Sequence, residues 1–435
     1  MLSRLSSNFP RTRLAAMLAA STVFGVLSLA PSGAALGDED ERNEAAVKLL
    51  TTIPYPANLH ALHAFDISWV DADTQLYYLG DRSNASVDVV DVKHNRFVKT
   101  IKAGFKGVVF NDKGGANNDK SGPNGVVVSG RWLFVTDAPS RVVAIDLTTD
   151  TKVSEVSTGG EPGLRADELA FDPEGGVILA VNNADDPPFA TLIKVDTNTG
   201  KLTLGKRITF KNFGPGADTA TNGAEQPVWD PGTGRFYISI PEINGPGDGT
   251  GQIGAVAQIN PHTGAVEATF HVRLCQPGGL TLGPKQDLLI GCSVVFDTAG
   301  KVWDRTNPTS IAAPTQIIID ANGGTKDASV AGVGGSDEVW FNRGDRRYYT
   351  ASRNNPTGPV LGVIDAEGQS LVQIVPTVNA AGKPFIFPAG TAHSVAVNPH
   401  NNHALVPLPA NNVVPNCLHG CIAVYGTPKR EHDDD

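Results

Sequence analysis

Seven short runs of similar form recur along the chain, and they limit its fold more than any other feature. Each run begins with a polar residue or a glycine, continues with apolar residues in alternation, and enters a turn rich in Gly, Asp, Asn or Pro. This pattern, with starts 43 to 59 residues apart, is typical of four-stranded propeller blades joined by variable loops. The sequence therefore predicts an all-β fold, a seven-bladed β-propeller, with six or eight blades as alternatives. The seven runs begin at Asp66, Asn124, Asp167, Glu225, Gly278, Asp337 and His393.

The two ends of the repeat region indicate how the ring would close. The last repeat ends in "CIAVYGTP" and lacks an outer strand, which the segment over residues 46–55 could supply. Pairing between these segments would protect the exposed edges of the sheets. We therefore predict one propeller domain over residues 46–428, closed by an N-terminal strand. Residues 36–45 are interpreted as a charged lead-in and residues 429–435 as a disordered acidic tail.

Residues 1–35 have the features of an export signal. Arg4, Arg11 and Arg13 precede an apolar run over residues 14–30, and small residues follow that run. The alternative is a membrane anchor, for which this run is short. We predict that the signal is cleaved and that the mature protein is periplasmic or secreted. It should be a monomer with no transmembrane segment.

Net charge limits the possible partners. A net charge of −10 argues against nucleic acid, because nucleic-acid-binding proteins carry basic patches. With 40% hydrophobic residues, the chain is a globular protein in spite of its many turn residues. We therefore expect a small-molecule substrate and no nucleic-acid partner.

The four cysteines fit an oxidising compartment. The simplest pairing joins neighbours, Cys275 with Cys292 and Cys417 with Cys421. The alternative is a metal site formed by Cys417, His419 and Cys421. Its spacing matches neither a zinc knuckle nor a haem-attachment motif.

The seven starting residues are the candidate functional site. The innermost strand of a blade lines the central channel, so equivalent strand starts should form one ring at one channel mouth. Five oxygen-bearing side chains and one imidazole would converge there, which suits a hard divalent cation or acid–base chemistry. Arg82 and Arg353 follow the second strands of their blades and could hold a substrate carboxylate beside the same mouth. The alternatives are that Asp and Asn serve only as turn residues, and that each arginine pairs with a nearby acid such as Asp81 or Asp66.

Two of the repeats resemble a known family. "PNGVVVSGRWLFVTDAPSRVVAIDL" and "DELAFDPEGG" resemble the propellers of the gluconolactonase, senescence-marker-protein and luciferin-regenerating-enzyme family. The resemblance implies that Asn124 and Asp167 ligate one calcium or zinc ion in the channel. It covers only about two blades, because the family's Glu-Gly-Pro opening motif and its second Asn motif are missing and the seventh repeat begins with His393. Elsewhere the repeats are similar to the broader group of exported lactonase-like or quinoprotein-like propellers.

These features together predict an exported metal-dependent hydrolase that acts on a lactone or ester at the channel mouth. A divalent ion, calcium or zinc, would polarise the ester carbonyl or activate water. The alternative is a non-catalytic propeller that binds a partner and carries a structural cation. A copper redox role has few possible ligands, because the ring has one imidazole and the chain has two methionines. The predicted roles are metal ligation by Asn124, Asp167, Glu225 and Asp66, catalysis by His393 and Asp337, and substrate binding by Arg82 and Arg353.

Overall fold

The structure, a computed structural model, describes residues 46–377 and 393–428. The expected signal peptide, the charged lead-in over residues 36–45 and the acidic tail over residues 429–435 lie outside the described residues. Within them, 28 strands form seven four-stranded antiparallel sheets. The predicted all-β, seven-bladed β-propeller is therefore confirmed.

Six blades consist of four consecutive strands each, and the seventh combines strands from both ends of the described chain. The chain begins with β1 (Lys48–Pro54), which belongs to the seventh blade. Blade 1 contains β2 (Phe65–Asp71), β3 (Leu76–Asp81), β4 (Ser86–Asp91) and β5 (Arg96–Ile101); blade 2 contains β6 (Val126–Ser129), β7 (Trp132–Asp137), β8 (Arg141–Asp146) and β9 (Thr151–Ser157). Blade 3 contains β10 (Leu169–Asp172), β11 (Val177–Asn182), β12 (Phe189–Asp196) and β13 (Lys201–Thr209); blade 4 contains β14 (Pro227–Asp230), β15 (Arg235–Ile240), β16 (Ile253–Ile259) and β17 (Val266–Arg273).

The remaining three blades follow the same order. Blade 5 contains β18 (Pro277–Leu282), β19 (Asp287–Cys292), β20 (Thr315–Asp320) and β21 (Lys326–Ala331); blade 6 contains β22 (Val339–Asn342), β23 (Arg347–Ser352), β24 (Val360–Asp365) and β25 (Ser370–Pro376). Blade 7 contains β26 (Ala396–Asn398), β27 (His403–Leu408), β28 (Cys421–Gly426) and β1. Two short 3-10 helices, Asn118–Lys120 and Pro284–Gln286, lie in the connections.

The burial of a strand follows its place in the blade. The second strand β7, "WLFVTD", is buried at all six positions, because both faces of a blade pack against neighbouring blades. Such strands are nearly continuous apolar runs and not strict alternations. The fourth strand β9, "TKVSEVS", has no fully buried residue and forms the outer edge of its blade. The apolar core is therefore spread between blades.

The ring closes in the seventh blade as predicted. β1 pairs antiparallel with β28, with Lys48 opposite Gly426 and Pro54 opposite Cys421. Directly after β1, the buried Tyr55 donates its hydroxyl hydrogen bond to the Asp81 carboxylate and also contacts that of Asp88. The N-terminal strand is thus joined to the last blade by a β-ladder and to the first blade by a buried polar cluster.

Both predicted disulfides are confirmed. Cys275 and Cys292 are bonded with Cα atoms 4.8 Å apart, and Cys417 and Cys421 with Cα atoms 4.9 Å apart. The alternative metal site is excluded in this state, because the sulfurs of Cys417 and Cys421 are bonded to each other. In the part of the chain that the structure describes, no helix is long and apolar enough to span a bilayer.

Candidate functional site

The strand starts predicted from the sequence occupy equivalent positions in their blades. In blades 2, 3, 4 and 6 the inner strand enters its ladder two residues after the predicted start, and the starting residue bonds ahead of it to the second strand. These hydrogen bonds, 2.7–3.0 Å long, run from the backbone N–H groups of Asn124, Asp167, Glu225 and Asp337 to the carbonyls of Thr136, Val181, Ser239 and Ala351, respectively. Because the register is shared, the side chains converge on one channel mouth.

Asp66 is the centre of the polar network at this mouth. Its buried carboxylate forms a close ion pair with Arg82. Arg165 Nη1 lies 3.3 Å from Asp66 Oδ2, and His393 Nε2 lies 2.9 Å from Asp66 Oδ1. Burial would raise the pKa of Asp66, but these three cationic groups hold it below its ordinary value. Asp66 is therefore ionised and connects blades 1, 3 and 7.

Asn124 bridges three blades through its side-chain amide. Its Oδ1 accepts hydrogen bonds from Arg82 Nε at 3.0 Å and Nη2 at 2.8 Å, and its Nδ2 donates to the Ala166 carbonyl at 2.7 Å. The next residue, Gly125, donates its backbone N–H to the Asp167 carbonyl at 2.9 Å. A Cβ atom at Gly125 would lie 2.8 Å from that same oxygen, so a larger residue would push the strands apart. The Asn-Gly pair is thus required where blade 2 meets blade 3.

The two predicted substrate-binding arginines differ in exposure. Arg82 is 2% exposed and fully engaged by Asp66, Asn124 and Asn118. Arg82 thus fits the alternative in which the arginine pairs with a neighbouring acid and does not bind a substrate. Arg353 has a side chain that is 39% exposed, with Nη2 3.0 Å from Asp337 Oδ2. Of these two arginines, Arg353 is therefore the one whose guanidinium a ligand at the mouth could reach.

His393 lies between two carboxylates. Its Nδ1 is 2.5 Å from Asp337 Oδ2 and its Nε2 is 2.9 Å from Asp66 Oδ1. Burial and Arg353, whose Nη1 lies 2.9 Å from His393 Nδ1, would lower the pKa of His393, but Asp337 and Asp66 raise it to about 9. Burial likewise opposes the ionisation of Asp337, but Arg353 and His393 lower its pKa to about 2. At neutral pH the histidine is therefore an imidazolium that joins two ionised carboxylates.

Asp167 and Glu225 have pKa values close to neutrality. Burial raises the pKa of Asp167 to about 7, although Arg165 Nη2 lies only 2.7 Å from its Oδ2. Burial and the neighbouring Asp167 raise the pKa of Glu225 to about 8, and Glu225 is half-buried at the mouth. Asp66 and Asp167, which share Arg165, therefore have pKa values on opposite sides of the ordinary one. Such a separation is what general acid–base chemistry requires of two neighbouring groups.

The sequence interpretation missed Arg165, which joins Asp66 to Asp167. Arg165 lies two residues before Asp167, so the alternation of an extended segment would place both side chains on one side. That spacing was the available signal. Asn183, whose Oδ1 accepts from Arg165 Nε at 3.4 Å, follows β11 in the same way that Arg82 follows β3 and could have been found by that analogy.

Three of the four predicted metal ligands have an oxygen turned toward an arginine and not toward a space for a cation. The amide oxygen of Asn124 and one carboxylate oxygen each of Asp66 and Asp167 face guanidinium nitrogens of Arg82 or Arg165. Among residues 46–377 and 393–428, no group of three or more His, Cys, Asp or Glu side chains could hold a metal ion. Calcium or zinc binding therefore stays a prediction.

Comparisons with known proteins support the fold and go no further. No protein-family model matches the sequence, and no curated protein matches it. Among solved structures, hydrazine synthase of Kuenenia stuttgartiensis is similar with a TM-score of 0.56 at 13% identity, covering 81% of this chain and 95% of that one.

Two further propellers of solved structure are similar to about the same degree. The Cps50 (Swd1) propeller domain of Myceliophteria thermophila has a TM-score of 0.56 at 11% identity, covering 88% of this chain and 100% of that one. The Pan2 WD40 domain of Neurospora crassa has a TM-score of 0.55 at 12% identity, covering 88% and 96%. At such identities the likeness concerns the fold alone, and the chain is a β-propeller.

Proposed function

We propose that the channel mouth is the catalytic site of an exported hydrolase that acts on a small ester or lactone. The observation that carries this proposal is the pair Asp167 and Glu225, two carboxyl groups with pKa values near neutrality that adjoin the permanently charged Arg165. Groups with such pKa values can both accept and donate protons at neutral pH, which ester hydrolysis requires.

The two carboxyls have different roles in this proposal. Asp167, with a pKa of about 7, is ionised in about half of the molecules at neutral pH and takes a proton from the attacking water. Glu225, with a pKa of about 8, is mostly protonated and gives its proton to the leaving alkoxide. Arg165 stabilises the negative charge that develops on the carbonyl oxygen.

The charge of the mouth favours a substrate that carries a carboxylate. Three arginines and the His393 imidazolium face only two strongly ionised carboxylates, those of Asp66 and Asp337. The most exposed of these cations is Arg353, whose planar guanidinium suits bidentate binding of a carboxylate. In this proposal His393 and Asp337 hold Arg353 in place, and His393 acts as a cation and not as a base.

Further support comes from the sequence and the disulfides. Two disulfides are consistent with an oxidising compartment, and with it a periplasmic or secreted protein. The motifs around Asn124 and Asp167 resemble those of lactonase-like propellers. A metal-dependent form of the same reaction would require Arg82 and Arg165 to turn away from Asn124 and Asp167. Metal analysis of the purified protein before and after a chelator tests that form directly.

The experiment is a hydrolysis assay on esters and lactones, each with and without a carboxylate. Asp167→Asn keeps the shape of the side chain but removes the base, and it should lower kcat by about 100-fold or more. Arg353→Met should raise KM for the carboxylate-bearing substrates and leave the neutral ones unchanged. Full activity in Asp167→Asn, at unchanged thermal stability, would refute the proposal.

The second candidate is a non-catalytic binding module. The ring side chains largely satisfy one another, as the pairs Asp66–Arg82 and Asp167–Arg165 illustrate, which is also what a purely structural network would do. If the wild-type protein hydrolyses none of the esters or lactones but captures one of them in equilibrium binding, this candidate replaces the enzyme.

A further inference from the structure

The central channel contains a cavity of about 640 Å³ below the mouth. None of the seven ring residues lines it. Along β10 and the residues flanking it, the lining runs from Glu168, next to the mouth, to Phe171 and Pro173, so the cavity leads toward the opposite face. Its volume lies within the range of about 300–1,000 Å³ that is usual for small-molecule sites.

The walls of this cavity are largely apolar and rich in aromatic rings, and the charged side chains in the lining are Glu168, next to the mouth, and Arg343, after β22. Trp69 and Trp340 meet edge to face with ring centroids 5.0 Å apart. Trp229, Phe171 and Phe341 belong to the same lining. Aromatic faces attract cations as well as apolar groups.

Glu168 is a carboxyl group without a partner at the inner end of the cavity. The residue is 7% exposed, and no described residue forms a hydrogen bond or an ion pair with its side chain. Burial and the neighbouring carboxyls of Glu338, Asp167 and Glu225 raise its pKa well above the ordinary value. A carboxyl kept in such surroundings is a costly feature unless something binds to it.

The sequence explains why Glu168 has no partner. At the equivalent position of blade 4, Gln226 Oε1 accepts the backbone N–H of Leu280 in the next blade at 2.7 Å. In blade 6, Glu338 Oε2 accepts the N–H of Val395 at 3.0 Å. The residue that would serve Glu168 in the same way is Pro227, which has no N–H. One of three similar contacts between blades is thus missing, and the free carboxyl lines the cavity.

We propose that the channel cavity binds an organic cation, a primary amine on an aromatic or apolar body, whose ammonium group pairs with Glu168. The ligand enters from the face opposite the mouth and packs its body among the aromatic side chains. The ammonium supplies the hydrogen-bond donor that Pro227 cannot. This site is separate from the proposed hydrolytic mouth and does not depend on it.

The test uses 2-phenylethylamine as the cationic probe and 2-phenylethanol as its neutral counterpart, followed by calorimetry and by the fluorescence of the cavity tryptophans. Wild-type protein should bind the amine more tightly than the alcohol. Glu168→Gln should weaken amine binding roughly tenfold or more and change alcohol binding less than about twofold. The matched control Glu338→Gln, whose carboxyl already has a backbone partner, should weaken amine binding less than about threefold.

A further variant separates charge from packing. Trp340→Leu removes part of the aromatic wall and should weaken the amine and the alcohol alike. The proposal is overturned if wild-type protein binds the amine no better than the alcohol, or if Glu168→Gln keeps full affinity for the amine. It is overturned as well if Glu338→Gln loses as much affinity as Glu168→Gln, because the general negative field and not Glu168 would then hold the cation.

Discussion

The position of His393 between two carboxylates predicts an unusual dependence of stability on pH. Its pKa is raised from 6.5 to about 9 by Asp337 and Asp66, against the effect of burial. A group whose pKa is higher in the folded state stabilises the fold fully below its unfolded pKa. That stabilisation is lost as the pH rises through the folded value. The window for His393 therefore runs from about pH 6.5 to about pH 9.

The magnitude follows from the same values. Each pKa unit of difference between the folded and unfolded states corresponds to about 1.4 kcal/mol, so the shift from 6.5 to about 9 corresponds to about 3 kcal/mol. The side chain of His393 is 18% exposed, so screening by solvent reduces this only in part. His393→Gln should lower the free energy of unfolding by up to this amount below pH 6 and by little above pH 9.

The assay is urea unfolding followed by tryptophan fluorescence at several pH values between 6 and 10. An exposed histidine, His60, provides the matched control, and His60→Gln should show only a small difference from wild type throughout. Titration of the ring by NMR, with the His393 signal assigned by its loss in His393→Gln, reads the pKa itself. A difference between wild type and His393→Gln that is the same at pH 6 and pH 10 would refute the ion-pair reasoning.

Other perturbations have equally definite expected outcomes. Tyr55→Phe should lower the free energy of unfolding by about 1–3 kcal/mol, because Asp81 and Asp88 lose a buried donor; an unchanged urea midpoint would contradict this. Replacing Cys275 and Cys292 together by alanine should cost about 3 kcal/mol, given their separation of 17 residues, and peptide mapping without reductant should recover both disulfides from the wild type. Glu168→Gln should stabilise the protein more at pH 8 than at pH 5, since the raised pKa of Glu168 removes stability as the pH rises above its ordinary value, and thermal unfolding at the two pH values measures this.

The fold was predictable because blades repeat, and the chemistry of the mouth was less so. The spacing of strand starts and the unpaired last repeat were sufficient for seven blades and for the pairing of β1 with β28. The convergence of Asp66, Asn124 and His393 followed from the same alignment. That alignment placed Arg82 at the mouth but left open whether it pairs with Asp66 or binds a substrate, and it missed Arg165, which precedes the start of the third repeat.

Glu168 illustrates the same limit on what a sequence alignment can reveal about side-chain contacts. Its lack of a partner could be found only by comparing equivalent positions across blades after the register was known. The decisive residue is Pro227, which has no backbone N–H to donate to the Glu168 carboxyl. The pattern of polar and apolar residues does not reveal that a hydrogen bond between blades is missing.

The pairing of β1 with β28 also has a consequence for how the protein is made. Lys48 lies opposite Gly426, so the first strand of the propeller cannot form its ladder until nearly the whole domain has been synthesised. A chain that stops before Cys421 has six complete sheets and a seventh that lacks β28. The backbone hydrogen-bonding groups of β1 that would face β28 are then unpaired. We expect such chains to be cleaved rapidly by proteases while the full chain resists them. Only a chain that contains β28 can therefore close the ring, and closure comes before any ligand binds in the channel.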